Sequence, residues 1–156
     1  MRLQVSTDYA IRILRHLHSS RGQVQTAMEI SNATGVTYPF FIKVANQLRK
    51  KDLLSSTQGR NGGYLLGRPA HEISLYDVLR AVEEDLEILP CMQDKPLTCS
   101  YANVEDCKTY RFFCNMQGSM IAELSNVSIA DLTDIECESD ADIETRGAFV
   151  LDAVRS

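Results

Sequence analysis

The sequence predicts a mainly α fold with one small β-hairpin. Apolar residues recur at helical spacing in several separate stretches, a Gly-rich segment divides two short β-prone runs, and no apolar run reaches membrane-spanning length. The 156 residues suffice for one core, or for a small domain with an appended dimerisation element, and the pattern favours the second.

Residues 7–18 set Ala10, Ile11, Ile13, Leu14 and Leu17 on one face of a first helix. After a turn at Gly22, Thr26 and Glu29 have the spacing of a capping box, opening a second helix that stops before Gly35. Thr37 is placed to cap a third helix, with Pro39 in its first turn, where amides have no intrahelical acceptor. Phe41, Val44, Ala45 and Leu48 supply its buried stripe, which turns Lys43, Gln47 and Lys50 outward. Short strands at 53–57 and 64–66 flank Gly59, Arg60, Asn61, Gly62 and Gly63, a hairpin with a basic tip. Three helices and such a hairpin make a winged helix-turn-helix, with the helix of residues 37–51 set for the major groove. Ser74 and Asp77 open a fourth helix with the stripe Leu75, Val78, Leu79 and Val82. Residues 109–125 read as a long amphipathic helix. Its stripe of Phe113, Met116, Met120, Ile121 and Leu124 is expected at a dimer interface, packing on its own domain being the alternative. Residues 128–132 read as one more capped turn, and residues 134–144, with six acids and no base, as a partly mobile tail. The expected division is therefore a DNA-binding domain at 1–82, a cysteine loop and dimerisation helix at 83–132, and an acidic tail at 133–156.

Net charge of -5 hides a split. Residues 1–82 carry eleven Lys and Arg against five Asp and Glu, while residues 83–156 carry five against sixteen. A basic front half can neutralise phosphates, and an acidic rear half is repelled from them. On the third helix, Thr37, Tyr38, Phe40, Lys43 and Gln47 are placed for base edges, and Arg49, Lys50 and Lys51 for phosphates. Arg60 at the wing tip suits a narrow minor groove. For each basic side chain the alternative is an ordinary solvated charge. No nucleophile with a base, and no Gly-rich phosphate loop, emerges, so catalysis is not expected.

Cys91, Cys99 and Cys107 are evenly spaced, with seven residues between neighbours, in a loop rich in Asp, Asn, Pro and Lys. Pliable connections of that length let thiolates converge on one soft metal centre, whereas zinc ribbons use short Cys-x2-Cys pairs. The start lacks the pattern of a signal peptide, so a cytoplasmic location is expected, where an odd total of five cysteines argues against a disulfide framework. An iron–sulfur cluster, a thiol redox switch, and zinc or inert thiols all remain open on these residues. Cys114 lies seven positions beyond Cys107 in a helix, about 10 Å along the axis, too far to share a centre with it. Tyr110 stands one turn from Cys107, within reach of the site as a hydrogen-bonding group. Cys137 falls in the acidic tail, and His16, His18 and His71 have no ligand spacing with the cysteines.

TDYAIRIL, FIKVANQLRK, GRNGGYLLGRPA, the three cysteines and VSIADL, in that order across residues 1–132, resemble the IscR/NsrR-type, or Rrf2, family of bacterial regulators. The resemblance implies a homodimeric winged-helix repressor on a palindromic operator, with a 4Fe-4S cluster, or a 2Fe-2S cluster as the alternative, on Cys91, Cys99 and Cys107. It implies control by nitric oxide, iron or redox status. This chain departs from the family pattern in three places. Its cysteines are more widely spaced than in the best-known members, Tyr110 stands where cluster-assembly regulators have a ligand His, and Gln58 stands where the usual wing has Arg. The nitric-oxide-sensing members are matched at Asp8, which by that resemblance completes the site from the partner subunit. Left to its own chemistry, Asp8 is also simply an acid in a first turn, stabilised by the helix dipole. The rivals are a cluster-free thiol or metabolite sensor of the same family, and an accessory redox protein that does not bind DNA.

Overall fold

The computed structural model describes residues 4–83, 85–92 and 106–134; Cys99, Cys137 and the acidic tail beyond 134 lie outside them. Helix α1 (Val5–Ser19) buries Ala10, Ile13, Leu14 and Leu17 of the stripe its spacing predicts, with Ile11 half-buried beside them. Helix α2 (Ala27–Thr34) opens on the predicted capping box. The Glu29 amide donates to the Thr26 hydroxyl at 3.3 Å, and the Thr26 amide donates to the Glu29 carboxylate at 2.7 Å. Gly35 ends α2 in the left-handed region at φ 69°, where a side chain would be strained.

Helix α3 (Tyr38–Arg49) differs from expectation in two details. Thr37 stands at the N-cap but its hydroxyl makes no capping bond, so the helix start rests on Pro39 in the first turn. The helix also ends at Arg49, because the Lys51 and Leu53 amides both donate to the Leu48 carbonyl and turn the chain into the hairpin. Phe41, Val44, Ala45 and Leu48 are buried as predicted. Strands β1 (Leu54–Thr57) and β2 (Gly63–Leu66) pair antiparallel from Leu54 opposite Leu66 to Thr57 opposite Gly63. Gln25 and Tyr64 exchange backbone hydrogen bonds of 3.1 and 2.8 Å, which fastens the hairpin to the segment before α2. That close approach explains Gly63, since a Cβ there would lie 2.4 Å from the Gln25 carbonyl oxygen. The Tyr64 ring meets buried Phe41 edge-on at 5.0 Å.

A short 3-10 turn (Ala70–Glu72) leads to α4 (Leu75–Val82), which starts on the capping box of Ser74 and Asp77 and buries Val78, Leu79 and Val82. α4 packs on α1 and α3. Helix α5 (Lys108–Asn126) lies against α4 with no residue fully buried. Its half-buried side is Tyr110, Phe113, Cys114, Gln117, Met120, Ile121 and Leu124, whereas Phe112 and Met116 are exposed. The chain then returns to the first core. The Leu75 amide donates to the Val127 carbonyl at 2.8 Å, the Ile129 amide to the Ile73 carbonyl at 2.9 Å, and Ile129 is buried as α6 (Ile129–Asp134) packs on α1. Among the described residues no helix is long and apolar enough to cross a membrane.

Candidate functional site

The outer face of α3 and the hairpin tip both carry exposed basic side chains. Burial of Phe41, Val44 and Leu48 leaves Lys43, Asn46, Arg49 and Lys50 exposed, and Lys51 follows them. Thr37, Tyr38 and Phe40 project at the start of the helix, Tyr38 being 49% and Phe40 52% exposed. Two large apolar rings in contact with water are costly unless something covers them. Tyr9 of α1 meets the Phe40 ring edge-on at 5.8 Å and steadies it. Gln47 behaves differently from its neighbours: it is half-buried and its Oε1 is shielded from solvent.

Asn46, Arg49, Lys50, Asp52, Leu54, Ser55 and Ser56 surround a hollow of about 660 Å³ where α3 runs into β1. Arg49, Lys50 and the two serine hydroxyls suit a phosphate there, against the opposing charge of Asp52. Asn46 and the serines were not singled out from the sequence, although Asn46 follows Lys43 by three positions and so shares its face. At the wing, the Gly62 amide donates to the Gly59 carbonyl at 2.9 Å, and Gly59 sits at φ 115°. This tight turn holds Arg60 out in solvent.

The cysteine segment joins α4 to α5. Cys91 is half-buried in a 3-10 turn (Pro90–Met92) that packs on α5. Cys107 is the N-cap of α5, its Sγ accepting the Tyr110 amide at 3.4 Å. A sulfur in that position faces the positive end of the helix dipole. Cys114 lies further along α5 and is also a free thiol. The Tyr110 phenol is held above its ordinary value first by its hydrogen bond to the Cys114 sulfur and the charge there, then by burial and by the charge of Cys91. Tyr110 thus stands among three sulfurs, and Cys114, set aside as a ligand, belongs to its surroundings through i, i+4 spacing. Among the described residues, which exclude Cys99, no three His, Cys, Asp or Glu side chains converge as a metal site.

Asp8 lies in the first turn of α1, about half exposed, and pairs with Arg12 at 2.8 Å. Near it is a residue the sequence did not reveal. Glu83, just after α4, accepts the Gln4 amide at 2.8 Å and a short hydrogen bond from the Thr7 hydroxyl. No local spacing signals a contact between residues so far apart in sequence.

Residues 3–135 match the Rrf2 family, described as iron-dependent transcriptional regulators. Protein aau3 of Rhizobium meliloti strain 1021 is 34% identical over 99 residues, and the match spans 64% of this chain and 64% of that protein, somewhat under two thirds of its length. Two solved structures share the fold. CymR (YrzC), the global cysteine regulator of B. subtilis, superposes with a TM-score of 0.67 at 16% identity, over 85% of this chain and 96% of that one. IscR of T. potens does so with a TM-score of 0.64 at 20% identity, over 85% of each chain.

Proposed function

The chain belongs to the Rrf2 family of winged-helix, DNA-binding transcription regulators, and on that premise we propose that it is a homodimeric repressor of a palindromic operator, controlled by an iron–sulfur cluster. Cys91, Cys99 and Cys107 would hold the cluster, and Asp8 of the partner subunit would be the fourth ligand. The observation that carries this reading is Cys107 at the N-terminus of α5, its Sγ already accepting a backbone N–H. The soft donor set fits such a cluster. If bound there, the cluster would supply iron chemistry responsive to nitric oxide or oxygen.

The remaining steps belong to the protein. In this reading Cys91 and Cys107 bracket the segment between α4 and α5, α5 packs on α4, and α4 lies against α3. To act as a ligand, Asp8 exchanges its partner Arg12 for the other subunit's site, which pins the two subunits together. Two reading helices must meet half-sites about 34 Å apart at the same time, so a small change in their separation weakens both. The side of α5 with Phe112 and Met116 is the candidate dimer surface, because it alone of that helix leaves large apolar groups uncovered among the described residues.

Anaerobic purification with iron and acid-labile sulfide analysis tests the reading. A coloured protein is expected, with Cys99→Ser losing most of its iron and its response to nitric oxide. A colourless protein with no iron or sulfide, gripping its operator equally well without the thiols, overturns it. Tyr110 beside Cys114 and Cys91 favours a second reading, thiol oxidation without iron. In that case Cys91→Ser abolishes the response to peroxide while no iron is found.

A further inference from the structure

We propose that the cleft between the end of α1 and β2 binds a small organic anion, which sets an apolar body on Leu65 and Leu66 and its carboxylate or phosphate against Arg21. The proposal does not rest on the cluster reading above.

The cleft holds about 590 Å³, a volume usual for small-ligand pockets, and none of its lining residues belongs to α3, the wing tip or the cysteine segment. Buried Leu17 and Ala70, with half-buried Leu65 and Leu66, give it an apolar side. His18, Arg21, Arg68 and His71 line the same space, and among the described residues no acid does. Two of these four are answered elsewhere, Arg68 by Asp77 at 3.4 Å and His71 by Glu72 at 3.7 Å. Arg21 has no carboxylate within ion-pair distance among the described residues.

Arg21 also stands where a side chain is strained. Its φ of 50° lies in the left-handed region beside Gly22 at φ 79°, in a turn closed by the Gln23 amide on the Ser20 carbonyl at 3.0 Å. Asn or Gly suits such a position, and Arg is uncommon there. A backbone outlier that carries an unanswered charge on a cleft points to a ligand rather than to folding. Bare carbonyls at the end of α1 would repel an anion, but those of His16 and His18 accept the Ser20 and Arg21 amides at 3.0 and 3.1 Å. A DNA phosphate would use the charge of Arg21 and leave the leucines idle, whereas an organic anion uses both. Because Leu65 and Leu66 belong to β2, the occupant touches the base of the wing.

The test titrates the isotope-labelled full-length protein with phenyl phosphate and with phenylacetate, following the Leu65 and Leu66 methyls and the Gly22 and Gly67 amides by NMR. Saturable shifts confined to this cleft are expected, and the tighter of the two anions identifies the head group. Inorganic phosphate and phenol, each with half of the chemistry, are expected to bind roughly ten-fold more weakly. Arg21→Asn is expected to weaken binding about ten-fold, the loss of one charge-assisted hydrogen bond. Its denaturant midpoint should stay or rise, because Asn tolerates the left-handed turn. Arg21→Lys is expected to keep most of the affinity, and His18→Gln, a second variant, to weaken binding with the fold intact. Duplex DNA tests the other source of an anion: for Arg21→Asn the slope of log affinity against log salt is expected to match that of the natural protein. A slope lower by about one would assign Arg21 to a DNA phosphate and overturn the proposal. So would the absence of saturable shifts at the cleft, or equal affinity of the natural protein and Arg21→Asn for both anions. An iron-free protein that still binds the anion loses the cluster reading and keeps this site.

Discussion

Glu29 and Asp131 show how single carboxylates are tuned by the turns they close. Hydrogen bonds from the Thr26 backbone and hydroxyl hold Glu29 below its ordinary value of 4.5, and those of Ser128 hold Asp131 below its ordinary 3.8. Because both are lowered in the folded state, their contributions are complete above the unfolded values and are lost as pH falls through the folded ones. Helix α2 is therefore expected to loosen in acid, and Glu29→Gln to abolish that acid limb when α2 amides are followed by NMR between pH 2 and 6 (a window of about two units either side of the ordinary carboxylate). Asp8 is held differently, by an exposed ion pair to Arg12. Exposed pairs of this kind contribute about 0.5 kcal/mol or less. Arg12→Ala is expected to leave thermal unfolding nearly unchanged and to slow chelator removal of iron, since Asp8 no longer has a local partner to return to. Faster iron loss in that variant would show that Arg12 supports the site instead.

At the scale of elements, α3 has two faces with separable roles. Phe41 on the inner face is fully buried and packs on Tyr64 of the hairpin, so Phe41→Ala should cost about 3–5 kcal/mol in denaturant unfolding and lose DNA binding with the fold. Lys43 on the outer face is exposed, so Lys43→Ala should unfold like the natural protein. Its operator affinity should nonetheless drop. If Lys43 meets a phosphate, the slope of log affinity against log salt also falls by about one, whereas a base contact relaxes sequence preference instead. Unaltered affinity and slope would leave Lys43 a solvated charge. The two ends of the helix were not equally legible in the sequence. Pro39 marked the start, but the end at Arg49 depends on bonds from beyond the helix to the Leu48 carbonyl, which periodicity does not register.

For the whole molecule, the proposed dimer surface lies on α5. Its sequence stripe of Phe113, Met116, Met120, Ile121 and Leu124 divides in the structure: four lie on the half-buried side, and Met116 stands exposed with Phe112. Helical period alone marks an apolar side without saying whose surface covers it, and here α4 takes part of that side. Phe112→Ser combined with Met116→Ser is expected to shift sedimentation equilibrium at least ten-fold toward monomer, about 1.4 kcal/mol, while leaving α5 helical by circular dichroism. An undiminished dimer would place the interface elsewhere on the chain.

Local chemistry was enough to determine most of the elements. Thr26 with Glu29, Ser74 with Asp77, the glycines of the wing and the stripe of α3 act over a few residues, and each lies where its spacing says. The charge split between front and rear halves likewise belongs to composition and needs no coordinates to point toward DNA. Tertiary structure alone decided the contacts that join distant segments: Glu83 on Gln4 and Thr7, Gln25 on Tyr64, and the return of Ile129 to the first core. Such bonds depend on the three-dimensional path of the chain rather than on a repeat of 2 or 3.6 residues, so no pattern along the sequence announces them.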